Sequence, residues 1–347
     1  MTRNQTINWG ILGPGSIAHS FVKDLHHVAD AKVVAVGSRT LDNAERFAKQ
    51  HHIAKAYGSY ASLIEDAEVD IIYIATPHAA HAANMLACLR AGKAVLCEKP
   101  FTMNGQEAEE IVHYAKQAKV FLMEAMWTRF LPAVVQARKW IDSGRIGEVR
   151  MLTANFGFRA HRDESSRLFD PRLGGGALLE VGIYPISFAS MMFGQAPAAI
   201  ATHAHIGATG IDEHFSALFT YSEGRTAVLN SSIGLHLAND AYIYGTDGYI
   251  HLPVFLAAQS ASLYVNGAFA ETFVYEGAEA GYAFEAAEAT RCLQAGLSES
   301  SIMPLDETLQ IMQTLDAVKQ QWNALQSTPS HPFNPHHDQS IHSGGQQ

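Results

Sequence analysis

Three side chains of this sequence have the types and spacing that acid–base chemistry needs. Lys99 follows the apolar run 94–97 and Glu98, where a predicted buried strand ends. In an open α/β sheet ligands bind beyond the carboxyl ends of the strands, so Lys99 is either an active-site cation or a partner in a surface salt bridge. Glu180 and Tyr184 lie four residues apart in an apolar run that predicts a helix, and they would share one face of it. Burying a carboxylate beside a phenol is costly, so the pair indicates either a functional site or a tyrosine hydroxyl satisfied inside a core.

The first predicted strand runs into a glycine pattern typical of dinucleotide binding. Gly13, Gly15 and Ala18 occupy the three small positions of GxGxxG/A, and a helix is predicted to begin there. The first glycine makes a tight turn, the second lets the backbone approach a pyrophosphate, and the small third residue lets the helix pack on the strand. The start of the helix, with Ser16 and Ile17, offers amide groups and a positive dipole end to phosphate. The alternative interpretation is a glycine turn with a purely structural role.

The second predicted strand, residues 32–36, bears on the choice of cofactor. An NAD-binding domain usually places Asp or Glu after this strand to bind the ribose 2′-hydroxyl. This chain instead places Ser38, Arg39 and Thr40 there. A carboxylate would repel a 2′-phosphate, whereas a guanidinium pairs with it through two hydrogen bonds. The sequence therefore predicts NADP(H) in preference to NAD(H), unless Arg39 is only a solvated loop residue.

The order of apolar segments predicts two domains of different architecture. Over residues 1–125, helical segments separate short apolar strands, which predicts an α/β fold with a doubly wound parallel sheet of the Rossmann type. Over residues 126–326, strands separated by glycine-containing turns predict an α+β domain built on a largely antiparallel open sheet. The tail, 327–347, contains His and Pro with little apolar material and is expected to be extended or disordered. The predicted strands are 7–12, 32–36, 70–75, 94–97, 120–124, 147–156, 199–206, 214–221, 226–233, 241–244, 249–252, 262–265 and 272–275.

Composition narrows the classes of partner. The formal net charge is −10 and no block of Lys and Arg occurs, so a nucleic-acid partner is not expected. Three cysteines without a CxxC pattern favour neither a disulfide framework nor a zinc ribbon, and with no signal-peptide core they favour a cytoplasmic protein. No apolar run of about 18 residues is evident, so no membrane span is expected. His78 and His81 are joined by no carboxylate or cysteine, so no metal site is predicted.

Four motifs in this order resemble the glucose–fructose oxidoreductase / inositol dehydrogenase / MocA (GFO/IDH/MocA) family. They are the GxGxxA start, TPxxxH at 76–81, EKP at 98–100 and GGGALLxxGxYP at 174–185. The resemblance extends over about residues 5–325. Within the family, EAMWTRF at 124–130 and the tyrosine at position 184 resemble the branch of the dimeric dihydrodiol dehydrogenases and the NADP-dependent sugar 1-dehydrogenases.

The resemblance implies hydride transfer between NADP(H) and a secondary alcohol or carbonyl of a sugar, a polyol or a trans-dihydrodiol-like substrate. Lys99 would lie beside the nicotinamide, bind the substrate oxygen and lower the pKa of Tyr184. An unperturbed tyrosine has a pKa of about 10, so a neighbouring cation is needed for Tyr184 to serve as general acid and base near neutral pH. Glu180, where many relatives have Asp, would orient Tyr184 or bind a substrate hydroxyl.

The resemblance also implies further contacts and a partner. Relatives pair through the exposed face of the second-domain sheet, which implies a homodimer or a dimer of dimers. Weaker candidates for the substrate pocket are Trp127, Phe158 and Tyr282. The other cofactor contacts implied are Thr76, Pro77, His81, Glu98, Lys99, Trp127 and Arg129.

Two alternative functions stay open at this point. One is an inositol or anhydrosugar oxidoreductase that uses the same pair, Lys99 and Tyr184. The other is a non-catalytic regulator that senses a dinucleotide, since the family includes such members. The presence of both Lys99 and Tyr184 counts against the regulator.

Overall fold

The computed structural model describes residues 6–278 and 280–327, and within these ranges the strands form two sheets. One sheet is parallel and the other is largely antiparallel, so the predicted fold class is confirmed. The predicted tail, 327–347, lies outside the described residues except for Ser327, which ends the last helix.

The parallel sheet forms the amino-terminal half of the described chain. Its strands are β1 (Ile7–Leu12), β2 (Ala31–Gly37), β3 (Lys55–Tyr57), β4 (Ile71–Ile74), β5 (Ala94–Glu98) and β6 (Leu122–Ala125). They lie in the order β3-β2-β1-β4-β5-β6, and the order reverses between β1 and β4. The connecting helices are α1 (Ser16–Leu25), α2 (Leu41–His51), α3 (Tyr60–Ile64), α4 (His81–Arg90) and α5 (Gly105–Ala118). A ligand is therefore expected in the crevice at the carboxyl ends of β1 and β4.

Residue patterns explain most of this sheet. β4 is buried along its whole length, as expected when helices cover both faces of a parallel sheet. Asn104 caps α5, with its side-chain oxygen accepting a hydrogen bond from the Glu107 N–H at 2.9 Å. The strand β3 was not predicted, because three half-buried residues are too few to show an alternating pattern.

The second sheet is mostly antiparallel. Its strands are β7 (Val149–Gly157), β8 (Ala199–Ile206), β9 (Asp212–Thr220), β10 (Thr226–Ser232), β11 (Ala241–Gly245), β12 (Gly248–Leu252), β13 (Ser260–Val265) and β14 (Ala268–Val274). In the described chain their order is β14-β13-β12-β11-β7-β10-β9-β8, and β7 is parallel to β10. Buried and exposed residues alternate along β9 and β10, because one face packs on helices and the other is open.

Two helices that follow the second sheet return to the first domain. The remaining described α-helices are α6 (Pro132–Asp142), α7 (Ile183–Phe193), α8 (Gly281–Gln294) and α9 (Leu305–Ser327). α8 packs against α1, and the Tyr282 N–H donates to Asp24 Oδ2 at 3.0 Å. α9 packs against α5, and the Gly105 N–H donates to Asp316 Oδ2 at 2.7 Å. The two domains are therefore held together by segments that the sequence order assigns to the second one.

Within the described residues, one run has the length and apolar composition to cross a membrane, although the sequence was expected to contain none. Pro171–Phe193 contains a window of mean hydropathy 1.4, but 89% of that window is buried inside the protein. The run is apolar all round because it passes through the core between the second sheet and α9.

Arg129 lies in this core rather than in a cofactor site. Its side chain is 2% exposed, and its guanidinium donates to the hydroxyl and the carbonyl of Ser187, both at 3.0 Å. It also pairs with Glu307 at 2.6 Å. The predicted cofactor contact is thus replaced by a structural one, since this cation joins the turn Trp127–Phe130 to α7 and α9.

We expect Arg129→Ala to lower the free energy of unfolding by roughly 3–5 kcal/mol, because it leaves the Glu307 carboxylate without its cationic partner and Ser187 without the donor to its hydroxyl and carbonyl. Denaturant titration measures this change. Lys116→Ala, which breaks the exposed pair with Asp306, is the matched control and should change stability little. A stable Arg129→Ala protein that loses dinucleotide affinity would restore the cofactor role.

Candidate active site

Two adjoining cavities lie at the carboxyl ends of β1, β4 and β5. The outer cavity, lined by Arg39, has a volume of about 480 Å³, and the inner cavity, lined by Lys99, has a volume of about 500 Å³. Gly15 and the loop 75–77 line both of them. The two cavities therefore form one groove that crosses the point where the strand order reverses.

The glycine pattern shapes the middle of this groove for a dinucleotide. Gly13 has a φ of +94°, and a Cβ there would lie 3.0 Å from Thr76 Cγ2 and 3.2 Å from the Ala75 backbone. No side chain caps α1, whose first residues Ser16 and Ile17 line the inner cavity. Close backbone approach and uncapped helix amides are the features that a pyrophosphate requires, so these residues fit the predicted cofactor.

The outer cavity lies where the ribose 2′ position of such a cofactor is expected. Ser38 and Arg39 line it, as predicted, whereas Thr40 precedes α2 and is not one of its lining residues. The sequence analysis missed three further polar residues on one face of α2. They are Asn43, Arg46 and Gln50. Their spacing, which places them on one face of the helix after β2, could have identified them in the sequence.

The predicted catalytic residues meet in the inner cavity, which is lined by Lys99, Glu180 and Tyr184. Lys99 Nζ lies 4.8 Å from the centroid of the Tyr184 ring, within the range of a cation–π contact. The same ammonium donates a hydrogen bond to the backbone carbonyl of Glu180 at 3.1 Å. One side chain at the end of β5 thus contacts both predicted partners in the second domain.

The Glu180 carbonyl is available because the helical run is irregular at this point. The apolar run predicts a helix here, but Leu178–Gly182 forms a wide turn of the π type before α7 begins. In an i→i+5 pattern the Glu180 carbonyl would pair with residue 185, and proline has no N–H to donate. Lys99 supplies a donor to that carbonyl.

The Glu180 carboxylate binds Arg167. The guanidinium donates to both carboxylate oxygens, at 2.6 and 2.9 Å, and His78 Nε2 lies 3.7 Å from Oε2. Burial opposes the charge of Glu180, but Lys99 and Arg167 outweigh it and lower its pKa to about 2. Among the described residues, no hydrogen bond joins the Glu180 carboxylate to the Tyr184 hydroxyl. Glu180 is therefore an ionised, fixed group and does not exchange protons near neutral pH.

Tyr184 lies among aromatic side chains. Its hydroxyl accepts a hydrogen bond from Trp127 Nε1 at 3.2 Å, and Phe156 meets its ring edge-on with centroids 5.2 Å apart. Tyr282 packs on Trp127 at 4.9 Å. Burial raises the pKa of Tyr184 above its ordinary value and outweighs the lowering by Lys99. As expected, Lys99 lowers the pKa of Tyr184, but burial has the larger effect, so this pKa lies above its ordinary value.

Glu98 supplies a second negative charge beside Lys99. Tyr73 Oη donates to Glu98 Oε1 at 2.5 Å, and the Lys99 N–H donates to Oε2 at 3.2 Å. Burial raises the pKa of the Glu98 carboxyl, while Lys99 opposes the rise. For Lys99, burial lowers the pKa, but the charges of Tyr184 and Glu180 outweigh it and the net shift is upward. The ammonium therefore stays charged.

His78 lines the inner cavity as an uncharged side chain. Burial, with the nearby charge of Lys99, lowers the pKa of His78 to about 3. Its Nδ1 is buried without a hydrogen-bond partner among residues 6–278 and 280–327. A Cβ at Gly174, whose φ is +81°, would lie 3.0 Å from this nitrogen. The glycine run before the wide turn thus lets the backbone approach the imidazole.

Besides Thr40 and Arg129, three predicted contacts line neither cavity: Trp127, His81 and Phe158. Trp127 contacts the site through its hydrogen bond to the Tyr184 hydroxyl. His81 is fully buried, with its ring nitrogens 2.9 Å from the carbonyls of Thr76 and Pro100, so it fixes two loops that border the groove. Phe158 packs beside Phe156 at 6.3 Å, and Phe156 is the residue that meets the Tyr184 ring.

Sequence reasoning also missed His78 and Arg167. His78 lies in the TPxxxH motif but was not among the predicted site residues, and Arg167 lies in the irregular segment before the wide turn, where no periodicity marks it. In the part of the chain that the structure describes, no group of three His, Cys, Asp or Glu side chains is placed to hold a metal ion.

Comparison with known proteins bears on this site. Trans-1,2-dihydrobenzene-1,2-diol dehydrogenase of Xenopus tropicalis is 37% identical over 323 residues, covering 90% of this chain and 97% of that protein. The Mus musculus protein of the same name is 39% identical over 326 residues, covering 90% and 96%. The crystal structure of a 3-ketoreductase from Actinomadura kijaniata with NADP and TDP-benzene has a TM-score of 0.79 and 27% identity, covering 91% of this chain and 98% of that one.

Two family models match consecutive parts of the chain. The oxidoreductase family with an NAD-binding Rossmann fold matches residues 7–126, and the GFO/IDH/MocA C-terminal domain matches residues 134–251. The first covers the parallel sheet and the second covers the start of the antiparallel one. With the groove at the switch point of the sheet and the relatives above, these matches show that the chain belongs to the GFO/IDH/MocA family of oxidoreductases.

Proposed function

We propose that this protein is an NADP(H)-preferring dehydrogenase or reductase that acts on a secondary alcohol or carbonyl of a sugar, a polyol or a trans-dihydrodiol-like substrate. The observation that carries the proposal is the contact between Lys99 and Tyr184 inside a groove that begins at a dinucleotide fingerprint. The names of the relatives, dihydrodiol dehydrogenases and a 3-ketoreductase, support the substrate class.

The chain's own residues would move the proton. For reduction, Tyr184 Oη–H donates to the substrate carbonyl oxygen while the Lys99 ammonium stabilises the negative charge that develops there. For oxidation, the Tyr184 phenolate, which Lys99 stabilises, accepts the hydroxyl proton and becomes the neutral phenol. The Trp127 N–H also stabilises the phenolate, since it already donates to that oxygen. A bound nicotinamide supplies or takes up the hydride.

The inner cavity suits a small ring with hydroxyl groups on one edge. Tyr184 and Tyr282 supply ring surfaces, whereas Lys99, Glu180 and Arg167 supply charges on another side. An apolar ring face would pack on the aromatic side chains, and adjacent hydroxyls would bind the charged ones. Cyclic sugars and dihydrodiols both have an apolar ring face and adjacent hydroxyl groups.

We expect Tyr184→Phe to reduce turnover by roughly 10²–10⁴-fold, because it removes the hydroxyl that carries the proton.

Oxidation by the wild-type enzyme should accelerate as pH rises, since burial raises the pKa of Tyr184 and the proton-accepting form becomes abundant only in alkaline solution. Stopped-flow rates across pH, with nicotinamide absorbance as the signal, measure both effects. Unchanged rates in Tyr184→Phe would make the tyrosine a core residue.

Lys99→Met is the companion variant in this experiment. Because Lys99 lowers the pKa of Tyr184, its loss should move the alkaline rise to higher pH as well as slow turnover. Dinucleotide binding, followed by NADPH fluorescence, should persist. If the wild-type protein binds NADPH but turns over no sugar, polyol or dihydrodiol, the sensing function is favoured instead.

The cofactor preference depends on Arg39. Since no acid follows β2 and Arg39 lines the outer cavity, Arg39→Ala should weaken NADPH binding much more than NADH binding. Titration calorimetry with each dinucleotide measures the two affinities. Equal losses for NADPH and NADH would show that Arg39 does not distinguish them.

We also propose a homodimer formed through the open face of the second sheet. Leu218 and Val228 lie opposite each other on β9 and β10, and are 42% and 37% exposed. On β12 and β13, farther along the same sheet, Tyr249 stacks on Tyr264 at 4.4 Å. An exposed face of this composition is typical of a protein–protein interface.

The three buried, unpaired cysteines support the proposed cytoplasmic location.

Val228→Lys should convert the dimer to a monomer in sedimentation velocity, because it places a charge in the centre of the proposed interface. Leu297→Lys, at an exposed apolar residue away from the sheet, should leave the dimer intact. A wild-type protein that is monomeric at all concentrations would contradict the proposal.

A further inference from the structure

One face of α2 is directed into the outer cavity. Asn43, Arg46, Phe47 and Gln50 follow the spacing i, i+3, i+4 and i+7, and all four line that cavity. Phe47 is 3% exposed and packs against His19 of α1 with ring centroids 4.5 Å apart. The buried phenylalanine fixes the rotation of α2, so its polar neighbours face the groove.

Two guanidinium groups therefore border this cavity, one from the segment after β2 and one from α2. Within residues 6–278 and 280–327, no carboxylate lies within salt-bridge distance of Arg39 or Arg46. Arg46 Nη2 donates instead to the side-chain oxygen of Asn43, one turn earlier on the helix. In a chain with a formal net charge of −10, two neighbouring cations without an acidic partner indicate an anionic ligand.

We propose that Arg46, held by Asn43, binds the 2′-phosphate of NADP(H) together with Arg39. A phosphate monoester carries about −1.5 to −2 charges at neutral pH, so a single guanidinium leaves part of its charge and some of its oxygens without a partner. A second guanidinium, from α2, supplies additional charge-assisted hydrogen bonds. The proposal rests on the NADP(H) preference stated above and adds a specificity-determining residue to it.

The test measures binding of two fragments, 2′,5′-ADP and 5′-AMP, to the full-length protein by titration calorimetry. These probes differ by the 2′-phosphate alone and require no catalysis. Arg46→Ala should weaken 2′,5′-ADP binding roughly tenfold or more and leave 5′-AMP binding within about twofold. Asn43→Ala should give a smaller loss in the same direction, because it frees the guanidinium without removing it.

Lys49→Ala is the matched control. Lys49 lies on the same helix, carries the same charge and is exposed like Arg46, but it does not line the cavity. It should leave the affinity for both fragments within about twofold. A loss in Lys49→Ala equal to that in Arg46→Ala would overturn the proposal, since it would reveal a general effect of charge.

Other outcomes separate this proposal from the cofactor preference itself. If Arg46→Ala weakens both fragments equally, or neither, the role of Arg46 is refuted. If, in that case, Arg39→Ala still weakens the binding of 2′,5′-ADP more than the binding of 5′-AMP, the NADP(H) preference stands without Arg46. If the wild-type protein binds 5′-AMP as tightly as 2′,5′-ADP, the preference fails and this proposal with it.

Discussion

The active site depends on one ammonium group that links two domains. Lys99 extends from the end of β5 to the Glu180 carbonyl and the face of the Tyr184 ring. Neither domain alone contains this arrangement. The return of α8 and α9 to the first domain holds the two halves at the distance that the side chain can span.

The buried positive charge of Lys99 needs nearby negative charges to balance it. In this structure, negatively and positively charged side chains alternate around it. Glu98 and Glu180 lie on either side of Lys99, and Arg167 compensates Glu180 from the side that faces solvent. A buried ammonium without these partners would lose its proton. Because Glu180 is fixed and ionised, the acid–base role in the proposed reaction falls to Tyr184 rather than to Glu180.

The sequence predicted this site well where a backbone rule applied. The glycines after β1, the absence of an acid after β2 and the placement of Lys99 at a strand end each follow from local pattern. His81 and Arg129 had the right residue types in the right motifs, but both satisfy buried carbonyls or carboxylates instead of lining the groove. Residue type does not reveal direction, because each motif contains side chains that face the groove and others that face the core.

By itself the sequence determined the two sheets and the fingerprint, because periodicity and chain order encode local structure, and its motifs implied the pairing of Lys99 with Tyr184 through the resemblance to the family. Only the tertiary structure decided that Arg167 binds Glu180, that Phe156 rather than Phe158 meets Tyr184, and that Arg46 faces the outer cavity. These contacts join segments that are far apart in the chain or lie in irregular backbone. Their geometry depends on packing that no local pattern records. The same holds for the pKa of Tyr184, whose net shift depends on how far burial outweighs one nearby cation.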